Sequence, residues 1–565
     1  MIVLLGVLAV FLLYPIWLTV RGGFYTPGSD EFTLYHLQSV FTDRAMLMGL
    51  INAFGIAVFT TILCIIISLP LALVAARYEF RGKALLSGLI LVPLILPPFV
   101  GAIGLRHLLG RSGAVNTILM DIGLISEGID FLGRGGFWAV VLLEALHLYP
   151  ILYLNATAAL ANLDPAMHEA AENLGAGRWT RFRRITLPLI RPGLFAGGTI
   201  VFIWSFTELG TPLMFEYHQV TPVQIFNGIK EMNDSARPYA LTAIMLFSAV
   251  MFYVLGKLAF GGRAYAMYAK ASTQSTTIKL GPVGTLLAVL LFVGVTGIAA
   301  MPHLGVVLTS ISGIGTWYDS ALPAVFTAEH YTGALGHPLA IGSIRNSLFY
   351  SSIAVMLDVV FGVAIGFLVV RTRVWGRGLL DGLAMLPLAV PGLVMAFGYV
   401  AMSLEWPFRA GDPLAGFVDV IGAEPNPVPL LIIAYAVRRL PYMVRAVVAG
   451  LEQTSKELEE AALNLGAGRM TVVRRITMPL IMANLIAGGL LAFSFAMLEV
   501  SDSLILAQRD QHFPITKAIY VLFERLGDGQ YIASAMGVWG MALLTVTLVG
   551  AAILMGKKMG AIFRV

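Results

Sequence analysis

Cysteine is almost absent. The one residue, Cys64, lies in the apolar run FTTILCIIISLPLALVAA, so no disulfide can form within the chain and a small buried thiol is expected. Charge is also scarce: 12% of the 565 residues are charged, against 58% hydrophobic. A soluble domain that apolar would expose large patches and aggregate, which leaves the polytopic membrane class. No phosphate loop of the form G-x-x-x-x-G-K-[ST] occurs; the Gly-Lys pairs at 82–83, 256–257 and 556–557 lack the following Ser or Thr. Energy for any pumping must therefore come from another polypeptide. Zinc-type Cys/His spacing, a nucleophile elbow and clustered His or Asp at one membrane face are missing too. The reading is a non-enzyme with no catalytic residue, cofactor, metal ligand or nucleic-acid partner of its own.

Long apolar runs are plentiful. A spanning helix needs about 20 apolar residues. Runs near 1–20, 46–76, 84–105, 136–162, 187–215 and 239–260 qualify, followed by 281–311, 346–370, 379–404, 428–449, 479–508 and 531–556. The N-terminal run lacks a basic start and a small-residue cleavage site, so it reads as a span rather than a signal peptide. With the N-terminus in the cytoplasm, the inner loops and C-terminus carry 22 Lys and Arg and the outer loops 12. Such an excess predicts both termini inside.

The chain repeats itself. Residues 169–190 read EAAENLGAGRWTRFRRITLPLI and residues 460–481 read EAALNLGAGRMTVVRRITMPLI, identical at 17 of 22 positions. Earlier, Asn52, Arg77, Pro93 and Pro97 align with Asn346, Arg371, Pro387 and Pro391 at an offset of 294, which falls to 291 by Pro150 and Pro441. Six spans per half put equivalent loops on the same side, so the repeats are parallel. The halves are expected at 1–270 and 271–565, joined by a polar, basic cytoplasmic segment near 261–280.

Each repeated stretch reads as a helix–hinge–helix elbow, near 164–190 and 455–481. Asp164 before Pro165 predicts an N-cap; Thr454 with Glu457 fits a capping box. Gly175 and Gly177 permit the left-handed backbone that stops the first helix. RWTRFRRIT and RMTVVRRIT predict a second short basic helix, with Pro188 and Pro479 starting the next spans. An elbow resting on anionic lipid would use its arginines as anchors, but lipid does not demand a fixed hinge twice.

The pattern Glu-Ala-Ala, three residues, Gly, nine residues, Ile-x-Leu-Pro resembles the cytoplasmic signature of permease subunits of binding-protein-dependent ABC importers. It is matched by Glu169, Ala170, Ala171, Gly175, Ile185, Leu187 and Pro188, and by Glu460, Ala461, Ala462, Gly466, Ile476, Met478 and Pro479, with Met478 replacing the usual Leu. The resemblance implies an all-α type I permease fold and an elbow whose first helix seats in a groove of the ATPase. It also implies two copies of a cytoplasmic ATPase holding ATP and Mg, a periplasmic or lipid-anchored binding protein, and a bacterial inner-membrane location. The fused layout is most similar to ferric-iron permeases; thiamine and aminoethylphosphonate permeases share it.

Charges inside spans each need a reason. Glu208 and Glu499 are equivalent and are expected to face a central path, or to bond to neighbouring helices or to outer-loop backbone. Arg438 and Arg439 stand where the first half has His147 and Leu148, and Pro441 offers a freed carbonyl nearby. Arg445 is expected to snorkel. Glu144 and His147 share a helix face and are expected to pair. An ion-coupled secondary transporter also carries mid-membrane acids, usually with inverted repeats; the parallel repeat and doubled elbow argue against it.

Overall fold

The computed structural model describes residues 1–565 except 27–30, 134–135, 162, 233, 261–277, 410, 423 and 556–565. The expected division at 270/271, most of the joint near 261–280 and the basic C-terminal residues Lys557, Lys558 and Arg564 lie outside the described residues. The described chain is helical apart from two two-residue strands, Tyr78–Glu79 and Ile278–Lys279, which pair in parallel. That pairing ties the entry to the second half onto the first half.

Eight helices are long and apolar enough to cross a membrane, or eleven if each of three bent pairs is one span, among the described residues. The twelfth expected span is the helix Val428–Glu452, set apart by Arg438, Arg439 and Arg445. Both third spans are broken: Lys83–Leu94 meets Pro98–Asp121 at 93°, and Arg377–Leu388 meets Gly392–Ser403 at 102°. The cause is the equivalent prolines Pro97 and Pro391. Each lacks an N–H, and each holds extended backbone at the corner.

Within each half the second span packs on the fourth: Arg44–Arg77 on Phe137–Ala161, and Pro338–Arg371 on Val428–Glu452. The fifth span closes against both, using small residues for close approach. Gly197 rests on Asn155, and its equivalent Gly488 rests on Ala446. Phe137–Ala161 is 72% buried along its apolar window, whereas Pro282–Ser310 is 17% buried and faces outward.

The halves exchange their first spans. Pro282–Ser310 lies against Pro98–Leu109 of the first half, and Tyr14–Gly22 lies against Gly392–Ser403 of the second. Equivalent glycines allow it: a Cβ on Gly104 would strike the backbone of Pro302, Gly305 and Val306, and one on Gly398 the backbone of Pro15. Backbone cannot rotate away, so Gly104→Ala and Gly398→Ala are each expected to cost about 1–3 kcal/mol. Thermal unfolding of the solubilised chain reads this. Gly342→Ala, at a helical glycine with nothing within 4 Å, is the control and should be neutral or stabilising. Equal midpoints for all three would mean the seam opens without cost.

Candidate functional site

The first elbow begins at Asp164, whose Oδ1 accepts from the N–H of Ala166 at 2.9 Å, with Pro165 opening the helix Pro165–Asn173. The second begins at Ser455, whose Oγ accepts from the N–H of Glu457 at 3.1 Å, opening Lys456–Asn464. The expected Thr454 capping box is thus replaced by Ser455, the true equivalent of Asp164; Thr454 is held by Arg371 instead. Gly175 at φ +78° and Gly466 at φ +86° end the helices in left-handed backbone. The N–H of Gly175 reaches Glu172 O at 2.8 Å and that of Ala176 reaches Ala171 O at 2.9 Å, a Schellman closure repeated at Gly466 and Ala467. Gly177 is extended rather than left-handed, because its task is to cap the next turn. The expected separate basic helix is absent from the first half, where Arg178–Thr207 is one continuous helix and the arginines form the turns of the span next to the elbow, but it is present in the second. In the second half Arg469–Leu480 and Met482–Met497 meet at 73°.

Glu169, Ala170, Glu460 and Ala461 are exposed, and Ala171 and Ala462 are half-buried. Around them each elbow presents the same apolar trio to solvent: Met167, Leu174 and Trp179, and at equivalent places Leu458, Leu465 and Met470. Leu174 and Leu465 are 88% and 89% exposed. Scattered exposed apolar residues are ordinary, but here a matched set recurs at equivalent places on two copies. The signal was in the sequence, as apolar residues recurring at fixed places inside a polar stretch.

At the end of the fifth spans away from the elbows the helix breaks in both halves: after Thr207 and again after Met497. Glu208 and Glu499 sit in these breaks, not inside continuous helices. Glu208 folds onto its own chain, its Oε1 accepting from the N–H groups of Gly210 at 3.1 Å and Thr211 at 3.2 Å. Glu499 instead takes two guanidiniums: Arg438 Nη1 donates to Oε1 at 2.6 Å, and Arg439 Nη2 donates to Oε2. Arg438 also reaches Asp502 Oδ2 at 3.4 Å, and Arg439 donates to Phe495 O at 3.1 Å. The carbonyl that receives Arg439 is thus Phe495, not one freed by Pro441. Glu499 and Asp502 are buried. The two breaks touch: a Cβ on Gly210 would meet Val500, next to Glu499.

The asymmetry begins with the residues opposite, His147 and Leu148 in the first half against Arg438 and Arg439 in the second. A Cβ on Gly392 would fall on the guanidinium of Arg438. The first half has Pro98 at that place and His147 opposite, whose Nδ1 donates to Pro93 O at 2.8 Å. The expected pairing of Glu144 with His147 is therefore not made, and Glu144 is buried with neither carboxylate oxygen bonded. Arg445 finds Asp381 at 3.5 Å near the inner end. Asp502 and Gly392 escaped the sequence reading because their first-half counterparts, Thr211 and Pro98, carry no charge and no gap. No group of three or more His, Cys, Asp or Glu arranged to hold a metal occurs among the described residues.

The profile of the family described as "Binding-protein-dependent transport system inner membrane component" matches residues 68–266 and 358–556, once in each half. The chain belongs to this family. It is accordingly a multi-pass membrane permease of an ABC importer with the family domain in two fused copies. It is 27% identical over 533 residues to the ferric transport system permease protein FbpB of Actinobacillus pleuropneumoniae, covering 93% of this chain and 74% of that protein. It is also 27% identical over 523 residues to the putative ferric transport system permease protein FbpB 1 of Haemophilus influenzae, covering 92% of this chain and 78% of that one. Among solved structures, a bacterial ABC transporter involved in import of the acidic polysaccharide alginate matches at 18% identity and TM-score 0.38, covering 45% of this chain and 91% of the other.

Proposed function

We propose that this permease docks two copies of a cytoplasmic ATPase, which supply ATP and Mg, and passes ferric iron from an extracytoplasmic binding protein across the bacterial inner membrane. The observation that carries the coupling half of this reading is the pair of elbows with identical left-handed hinges and matching exposed apolar trios. In the first half the hinge at Gly175–Gly177 is followed by the continuous 30-residue helix Arg178–Thr207. At 1.5 Å per residue, a push on the elbow is carried about 45 Å to the break that holds Glu208. In the second half the same push passes a 73° bend before it reaches Glu499 and its arginines. A lever of this kind moves the charged seam when the ATPases close.

The cargo reading rests on the two ferric relatives, each matched along more than nine-tenths of this chain. Ferric iron is a hard cation that suits the carboxylate oxygens of Glu208, Glu499 and Asp502. The test is reconstitution of the chain with an ATPase that co-purifies with it and a ferric-iron binding protein. Radiolabelled ferric iron should enter vesicles with ATP inside, at two ATPase copies per permease; uptake of thiamine or aminoethylphosphonate and not iron would reassign the cargo. For orientation, a cysteine at Ser455 should label only from the cytoplasm and one at Asp412 only from outside. Labelling of Ser455 from the periplasm overturns the placement of the elbows.

A further inference from the structure

The two elbows are fastened to the spans by different chemistry. At the second, Arg371 closes the long helix Pro338–Arg371 and its Nε donates to Glu459 Oε1 at 3.1 Å. Its Nη2 donates to Thr454 Oγ1 at 2.7 Å and to Thr454 O at 3.0 Å, and Thr477 Oγ1 donates to Glu459 Oε1 at 3.2 Å. The pair is withdrawn from solvent, with side-chain exposures of 5% and 12%. At the first, the equivalents of Arg371, Thr454, Glu459 and Thr477 are Arg77, Leu163, His168 and Thr186. Arg77 Nη2 donates to Thr186 Oγ1 at 2.9 Å, and that hydroxyl meets His168 Nε2 at 3.4 Å. A neutral imidazole can take the Thr186 hydrogen or give its own, whereas a charged one can only give, and it then stands beside the Arg77 and Arg181 guanidiniums.

We propose that Arg77 and Arg371 are positioning residues that fix the two docking helices to the second spans, through an imidazole at the first joint and an ion pair at the second. The inference rests on reading the elbows as the ATPase sockets. A buried ion pair resists changes of pH near neutrality, whereas an imidazole is the side chain that changes charge there. The groups facing His168 are Arg77 from the second span, Arg181 from the turn Arg178–Arg181, Glu172 on its own helix, and Thr186. Glu172 is engaged by Arg181 at 2.6 Å. Partial burial, then Arg77 and Arg181, hold His168 below its ordinary 6.5, and Glu172 opposes them. The sign follows. The folded joint binds fewer protons than a free imidazole, so its stability is present above 6.5 and is lost as pH falls below that value towards the depressed one. The second joint holds an arginine–glutamate pair and no imidazole. Acidification of the cytoplasm therefore loosens one socket and spares the other.

The test uses the full chain in lipid nanodiscs with Cys64→Ser, so that introduced cysteines alone carry spin labels. Label pairs at Asn173 and Arg81, and at Asn464 and Arg373, report each docking helix against the end of its second span. Between about pH 8 and about pH 5.5, either side of the imidazole range, the first distance should broaden and the second stay sharp. His168→Glu should abolish the pH response at the first joint, and Glu459→His should transfer it to the second. Arg371→Met should broaden the second distance at both pH values, and the exchanged pair Arg371→Glu with Glu459→Arg should restore it. A sharp second distance in Arg371→Met, or a first distance identical at the two pH values, overturns the proposal. The ATPase takes no part in this measurement, so the outcome is separate from whether the elbows are its sockets; that is read by co-purification of the ATPase.

Discussion

A chain carrying Gly175→Val and Gly466→Val should insert normally and lose uptake altogether. Both glycines hold positive φ, and a Cβ at either would meet nothing within 4 Å. The expected defect is therefore purely one of backbone conformation. A left-handed residue other than glycine costs about 1–2 kcal/mol, and a β-branched one resists it more strongly. Each helix can then be closed only by redirecting the chain after Leu174 and Leu465, which carries Trp179 and Met470 away from the docking face. ATPase co-purification should fall with uptake, while protein yield and thermal midpoint stay near wild type. Gly177→Ala, at extended backbone, should leave all four unchanged. Normal co-purification and transport by the double valine variant would falsify the socket assignment.

The second large effect belongs to the charged seam, and there the two acids should not behave alike. Glu499→Gln leaves Arg438 and Arg439 facing one carboxamide, with Asp502 as the remaining acid within reach. Removing one partner from a buried pair costs about 3–5 kcal/mol, because the other charge stays buried. Glu208→Gln keeps an oxygen that still accepts from the N–H groups of Gly210 and Thr211, so it should cost about 1 kcal/mol, the worth of weakening an ordinary hydrogen bond. The expected order of iron uptake is wild type, then Glu208→Gln, then Glu499→Gln, with the double variant inactive. Thermal midpoints should follow the same order, while ATPase docking survives in all. Equal, mild effects of the two single changes would return both acids to helix packing with no part in translocation. Replacement of Arg438 by Met should also destabilise, since it strands Asp502 and leaves Glu499 to Arg439 alone.

Much of this was local enough to be legible in the chain. Twelve apolar runs were countable because a bilayer requires about 20 apolar residues per span, and that length does not depend on tertiary contacts. The elbows were legible because caps and hinges are set by single residues: Asp164 and Pro165 start a helix and Gly175 ends it within the same dozen positions. Doubling removed the ambiguity of a single copy. The errors were also local in origin. Thr454 outranked Ser455 as a cap on sequence spacing because nothing in the stretch reveals that Arg371, 83 residues earlier, claims the threonine. Gly177 looked like a second hinge because one glycine cannot be told from the next until the Schellman bonds select Gly175.

What the sequence by itself determined is the membrane class, the two parallel halves, the elbows and the absence of a nucleotide loop, because each follows from composition, spacing or repetition along the chain. What only the tertiary structure decided is where repetition stops being symmetry. Glu208 and Glu499 occupy equivalent places, yet one accepts from the N–H groups that open the next helix and the other binds two arginines from a span some 60 residues away. The arginines have no counterparts in the first half, which carries His147 and Leu148 there, and Gly392 leaves the space that the Arg438 guanidinium fills. That these arginines turn to Glu499 and Asp502 is a property of packed helices rather than of any stretch of sequence. The same holds for Arg77 and Arg371, which are identical in the chain and differ only in what their partners across the fold, His168 and Glu459, place within reach.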